Sequence, residues 1–262
     1  LEKTRGSNID RGAHLSRVLC IANQKGGVGK TTTAISLADG LARAGAYTLV
    51  VDLDPQCNAT SGLGHTPTER HPLVSGHPLS RAICGTEVAG LELLPGSRSF
   101  KDVEAMTRDD PPQVRRMREH LTQGLRGYDF VLIDCPPSLG QLTQTALAGS
   151  TEVLMPIQCE FFAMEGLVQM IETIRSVMEM QPGRLQFGGI VLTMYEHQLE
   201  LTHEVDREVR EFFGEIVFQT VIPRDVSVSE APSHGRSVLD YAPRSRGARA
   251  YVELCMEVLE RV

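Results

Sequence analysis

The eight residues Lys25-Gly26-Gly27-Val28-Gly29-Lys30-Thr31-Thr32 constrain this chain more than any others. They follow the apolar run Val18-Leu19-Cys20-Ile21-Ala22 and open a segment with helical spacing. The chain holds only four lysines, and two of them fall in these eight residues. A strand that runs into a glycine-rich loop and then a helix is the setting of a cradle for a nucleoside triphosphate.

The chemistry follows from the residue types. Gly26, Gly27 and Gly29 let the backbone N–H groups come close to phosphate oxygens. A helix starting near Lys30 adds its dipole and its free N–H groups. Lys30 is expected to reach the β- and γ-phosphates, the Thr31 hydroxyl to ligate Mg²⁺, and Thr32 to bond a phosphate oxygen. The pattern G-x-x-x-x-G-K-[ST] fails at its first position, where Gln24 stands, and an added lysine, Lys25, follows it.

Two carboxylate clusters complete the expected site. Asp134 ends the run Asp129-Phe130-Val131-Leu132-Ile133-Asp134, and a carboxylate at such a strand end can hold Mg²⁺ through a water. Asp52 and Asp54 end another run, and period-2 geometry points both to one side of the sheet.

From residue 18 onward, strand-like and helical segments alternate. Strands are expected at 18–22, 47–53, 91–94, 129–134, 152–158, 187–193 and 216–221. Helices are expected after the loop as far as Gly45, from Pro112 to about Leu125, and near 140–148, 163–179, 202–213 and 246–260. Residues 65–90 read as a loop-rich excursion. This order predicts an α/β fold, a mostly parallel twisted β-sheet flanked by helices on both faces. Residues 1–17 are polar and read as a disordered tail, leaving 18–262 as one domain. No apolar run reaches the ~20 residues that span a bilayer. The six cysteines form no C-x-x-C pair and read as buried thiols of a reducing cytoplasm. His65, His71, His77, His197 and His203 read as solvated loop residues. The net charge of −7 disfavours an overall polyanion binder.

With these blocks together the chain resembles the ParA/Soj family of deviant-Walker P-loop ATPases. The resemblance rests on the loop, on Asp52 to Gly64, on Asp134-Cys135-Pro136-Pro137-Ser138-Leu139-Gly140 and on Pro156 to Ala163. Glu230 to Gly235 and Pro243 to Ala248 extend it. It implies ATP and Mg²⁺ as ligands and a homodimer formed on ATP binding. It also implies a ParB-like activating partner and a role in chromosome or plasmid partitioning. Lys25 becomes the signature lysine, which crosses a dimer interface to the partner's phosphates. An arginine finger, the analogous device, is worth ~10³–10⁵ in rate. Asp54 is implied to orient the attacking water, with Asp52 a switch residue or a second-layer Mg²⁺ neighbour. Pro223 and the turn Thr193-Met194 lie where the family contacts adenine. The guanine-reading motif [NT]-K-x-D is absent from the sequence, which favours ATP over GTP.

Two positions depart from the family pattern. The arginines associated with ATP-dependent, sequence-independent DNA binding are Gln198 and Ser227 here. Residues 201–262 carry eight arginines against eleven acidic residues. Arg224, Arg236, Arg244, Arg246 and Arg249 are the candidates for a residual DNA patch. DNA binding is accordingly expected to be weak, lost or moved, since each missing arginine removes affinity and salt dependence. This leaves a DNA-riding ATPase as one class and a positioner working on a protein scaffold or another surface as the next. A MinD-like membrane ATPase would need a basic amphipathic C-terminal helix, but the polar positions there are Glu253, Glu257, Glu260 and Arg261. That helix is expected to pack into the core. An iron–sulfur ATPase is disfavoured by the spacing around Cys135 and Cys159.

Overall fold

A computed structural model of the chain describes residues 16–75, 78–99, 119–160, 163–180 and 183–261. Its centre is an eight-stranded sheet in the order β3-β4-β2-β5-β1-β6-β7-β8. The strands are β1 (Arg17–Ile21), β2 (Thr48–Asp52), β3 (Cys84–Gly85), β4 (Leu91–Leu94), β5 (Phe130–Asp134), β6 (Glu152–Gln158), β7 (Gln186–Tyr195) and β8 (Val217–Pro223). All neighbours pair in parallel except β3 with β4. The expected α/β fold class is therefore the observed one.

The apolar runs follow from burial on both faces. Along β1, Val18, Cys20 and Ala22 enter one core, while Leu19 and Ile21 enter the other. Along β5, Val131 and Ile133 alternate in the same way with Phe130 and Leu132. A strand covered on both sides needs apolar residues at every position, so its sequence does not alternate.

The helices are α1 (Lys30–Arg43), α2 (Asn58–Gly62), α3 (Pro72–Ser75), α4 (Gln141–Gly149), α5 (Ala163–Met180), α6 (Glu200–Phe213), α7 (Val226–Glu230), α8 (Val238–Tyr241) and α9 (Arg246–Glu260). A further helical stretch covers residues 119–124, the described part of the helix expected after Pro112. Residues 112–118, where that helix is expected to begin, lie outside the described residues. Helix α1 is buried nearly all round because it lies between the sheet and α9. It stops at Gly45, where Gly45 N bonds Ala42 O at 2.9 Å and Ala46 N bonds Leu41 O at 3.1 Å, closing the last turn. Helix α9 buries Tyr251, Leu254, Cys255 and Val258 in the α1 core, as its acidic polar face implied.

Several boundaries differ from the expectation. β1 begins at Arg17, inside the stretch read as a tail. Its guanidinium makes two 2.7 Å bonds to the Glu152 carboxylate and one of 2.7 Å to Val258 O, joining β1, β6 and α9. The excursion at 65–90 carries α3, a 3₁₀ turn at Leu79–Arg81 and β3, elements too short for periodicity to reveal. His71 is fully buried rather than solvated, because this excursion folds back over the end of β2.

Candidate active site

The order of strands places the site. β1 lies between β5 and β6, and the glycine-rich loop emerges from its C-terminal end, the position at which open α/β sheets bind ligands. Gly27 has φ 76° and Gly29 φ 89°, left-handed values that few residues other than glycine adopt. Gly29 is the N-cap of α1, so free N–H groups of the first turn face the loop's concavity.

The loop is anchored by side chains from three elements. Asn23 Nδ2 donates to Pro156 O at 2.8 Å, and its Oδ1 accepts from Lys25 N at 2.9 Å. Thr193 Oγ1 donates to Val28 O at 2.9 Å, tying the loop to β7. Lys30 Nζ donates to Lys25 O at 2.8 Å, curling back across the loop. Lys25 Nζ pairs with Glu160 Oε2 at 2.6 Å, just beyond β6. Asn23 and Glu160 received no role from the sequence, and Thr193, expected beside the adenine, anchors the loop instead. Only Asn23 carries a local signal, an Asn two residues before a loop N–H that its side chain can cap.

The carboxylates converge. Asp52 and Asp134 are register partners on β2 and β5, on the α1 side of the sheet. Thr31 Oγ1 donates to Asp134 Oδ2 at 2.8 Å. Asp134 is fully buried, and its Oδ1 has no hydrogen-bond partner among the described residues. β2 stops at Asp52, and Asp54 lies two residues beyond it, while Leu53 N still bonds Asp134 O at 3.0 Å. Asp54 N donates to Asp52 Oδ1 at 3.2 Å, and Asp54 Oδ1 accepts from Gln56 N at 2.8 Å. Asp52 Oδ2 accepts from Thr60 N at 2.8 Å and Thr60 Oγ1 at 2.6 Å, so both its oxygens serve the fold.

Burial dominates the electrostatics. It pushes the Asp134 carboxyl well above the usual range, and the Asp52 charge adds to this, against the Thr31 hydrogen bond. Burial likewise lifts Asp52 to about 6, opposed by the Thr60 bonds. Lys30 is lowered by burial, while Asp134 and Asp54 act to keep it charged. Crowded buried carboxylates beside a hydroxyl, one oxygen of them unpartnered, are a donor set that fits a hard divalent cation. The residues present therefore fit Mg²⁺, with Thr31 and Asp134 placed to hold it.

At the other rim, β7 carries Thr193 and Met194 within the strand rather than in a turn, and Met194 takes φ 51°. Tyr195 is the register partner of Pro223, and Arg224 N bonds Tyr195 O at 3.1 Å, so Met194 and Pro223 share one strand-end region. The five candidate DNA arginines are all exposed. Arg224 pairs with Glu196 at 2.5 Å, and Arg236 with Asp240 at 3.5 Å. Arg224 and Arg246 line one cavity of about 200 Å³ with Gln198. Cys20 and Cys135 place their sulfurs 3.3 Å apart, fully buried, and no metal-ligating cluster occurs among the described residues.

Residues 16–187 match the family model described as an AAA domain. The chain is 44% identical over 253 residues to the chromosome partitioning protein ParA of Caulobacter vibrioides, covering 94% of both. It is 41% identical to the sporulation initiation inhibitor protein Soj of Bacillus subtilis, over 93% of this chain and 98% of that one. The chain belongs to the ParA/Soj family. The chain is also similar to Mycobacterium smegmatis cobyrinic acid a,c-diamide synthase with bound ADP and magnesium. That match has a TM-score of 0.80 and 32% identity over 94% and 95% of the two chains. The Pyrococcus furiosus cell division ATPase MinD matches at a TM-score of 0.76 and 27% identity, over 95% of this chain and all of that one. ParA/Soj relatives of this chain are named as ATPases, among them the chromosome-partitioning ATPase Soj of Thermus thermophilus, 46% identical. No helix among the described residues is long and apolar enough to cross a membrane.

Proposed function

We propose that this chain binds Mg-ATP, pairs with a second copy across the bound nucleotides and hydrolyses ATP to partition chromosomal or plasmid DNA with a ParB-like activator. The observation that carries the reading is the buried, unpartnered Asp134 Oδ1 beside Thr31, at the mouth of a loop bent for phosphate. In this reading residues 18–262 act as one ATPase domain. Gly26, Gly27, Val28, Gly29 and Thr32 line the phosphates, with Lys30 turning from Lys25 O to the β- and γ-oxygens. Thr31 and Asp134 would hold Mg²⁺, which would supply positive charge against those oxygens. Asp52 fixes the backbone of Asp54, whose carboxylate orients the attacking water. Met194 and Pro223 bracket the base, and Lys25 acts across the dimer on the partner's phosphates.

Two substitutions test the assignment. Lys30→Ala is expected to abolish binding of a fluorescent ATP analogue. Asp54→Ala is expected to keep binding and ATP-dependent dimerisation while turnover falls by about 10² or more. Wild-type turnover by Asp54→Ala would remove Asp54 from its role.

A second reading concerns the cargo. Gln198 and Ser227 replace the arginines of the family pattern, and Arg224 and Arg236 are engaged by acidic neighbours. These favour an ATPase of the same cycle that positions a protein scaffold or other cargo, with weakened DNA binding.

A further inference from the structure

The geometry points to Glu160 as a latch that holds Lys25 within its own chain and so raises the threshold for dimerisation. This inference rests on the proposed role of Lys25 in the partner's site. Glu160 sits immediately beyond β6, and its Oε2 lies 2.6 Å from Lys25 Nζ. The carboxylate is itself oriented: its Oε1 accepts from the Gln158 side-chain amide, and its N–H bonds Gln158 O at 2.8 Å. The backbone end of Lys25 is fixed from the same direction, through Asn23, which bonds both Lys25 N and Pro156 O of β6. Lys25 is thus tied at one end to β6 and at the other to the residue just beyond it, which holds its ammonium within its own chain.

The strength of the pair suits a latch. The two side chains are 40% and 47% exposed, and an exposed ion pair contributes only about 0–1 kcal/mol, which salt screens. A triphosphate offers several negative charges against the single one of Glu160, so the nucleotide of a second copy brought to this edge outcompetes Glu160 for Lys25. Glu160 is a positioning residue: it acts through Lys25 and touches no reacting atom.

The test compares the full wild-type chain with Glu160→Gln, which keeps an acceptor for Gln158, and with Glu160→Asp, which restores the charge. Thermal unfolding first establishes that all three fold alike. Brief acetylation followed by mass spectrometry of the Lys25 peptide reads the pair directly in a chain with only four lysines. Sedimentation with Mg²⁺ and a non-hydrolysable ATP analogue reads dimerisation. Glu160→Gln is expected to acetylate faster at Lys25 and to dimerise about two- to five-fold more tightly at low salt, a gain that shrinks near ~0.5 M salt. Glu160→Asp is expected to return toward wild type. Unchanged acetylation, or faster acetylation with equal or weaker dimerisation, overturns the latch while leaving the ATPase reading intact. A wild-type chain that stays monomeric with the analogue removes the dimer reading and the latch together.

Discussion

His71 shows how one residue couples stability to pH. Its Nε2–H donates to Asp52 O at 3.1 Å, and its Nδ1 accepts from Leu73 N at 3.1 Å, so the neutral ring is the form the fold uses. Burial pushes it down to about 3 from the ordinary 6.5, against the Asp52 bond. The unfolded chain then binds the extra proton between these values. Stability from His71 is full above 6.5 and is lost as pH falls toward 3. Between pH 7 and pH 5 the loss is about 2 kcal/mol, at about 1.4 kcal/mol per unit below 6.5. Denaturant titrations at the two pH values check this, and His71→Gln is expected to lower stability at pH 7 while flattening that slope. In the sequence His71 stands among prolines and glycines, where a histidine reads as solvated. Asp134 was legible because a strand-end carboxylate is a local pattern. The burial of His71 was not, because it depends on α3 closing over β2.

At the scale of elements, the start of α9 illustrates sterics against propensity. Ser245 caps the helix, accepting from Ala248 N at 3.1 Å, and Asp225 Oδ2 accepts from Gly247 N at 2.9 Å. A Cβ on Gly247 would lie 2.1 Å from Val228 Cγ2, on α7. Gly247→Ala gains about 1 kcal/mol of helix propensity, whereas overpacking costs about 1–3 kcal/mol. Val228 is β-branched and cannot turn aside cheaply, so the clash wins. Net destabilisation of about 1–2 kcal/mol is expected, read as a lower denaturant midpoint with an unchanged slope. A slope change or a gain in stability would contradict the packing argument. α9 itself was legible from its periodicity, whereas α7 at five residues and α8 at four are too short to show one.

For the whole molecule, charge decides what surface the protein can use. The net charge is −7, and Arg224 and Arg236 sit in ion pairs, leaving Arg244, Arg246 and Arg249 as exposed candidates. Three phosphate contacts give a salt slope of about −3 per chain, against −0.9 for each contact made. DNA co-sedimentation with ATP, ADP and no nucleotide at two salt concentrations is expected to show weak binding that fades near ~150 mM salt. Strong ATP-dependent binding at that salt would sink the weakened-DNA reading and favour the DNA-riding one. By itself the sequence determined the loop, the strand-end carboxylates, the parallel sheet and the family, because these are written in contiguous runs and short motifs. Only the tertiary structure decided that Asp52 is consumed by Thr60, that Lys25 is held by Glu160 and that His71 is buried. Those pairings join residues that only folding brings together, Lys25 and Glu160 lying 135 residues apart, and no local pattern encodes them.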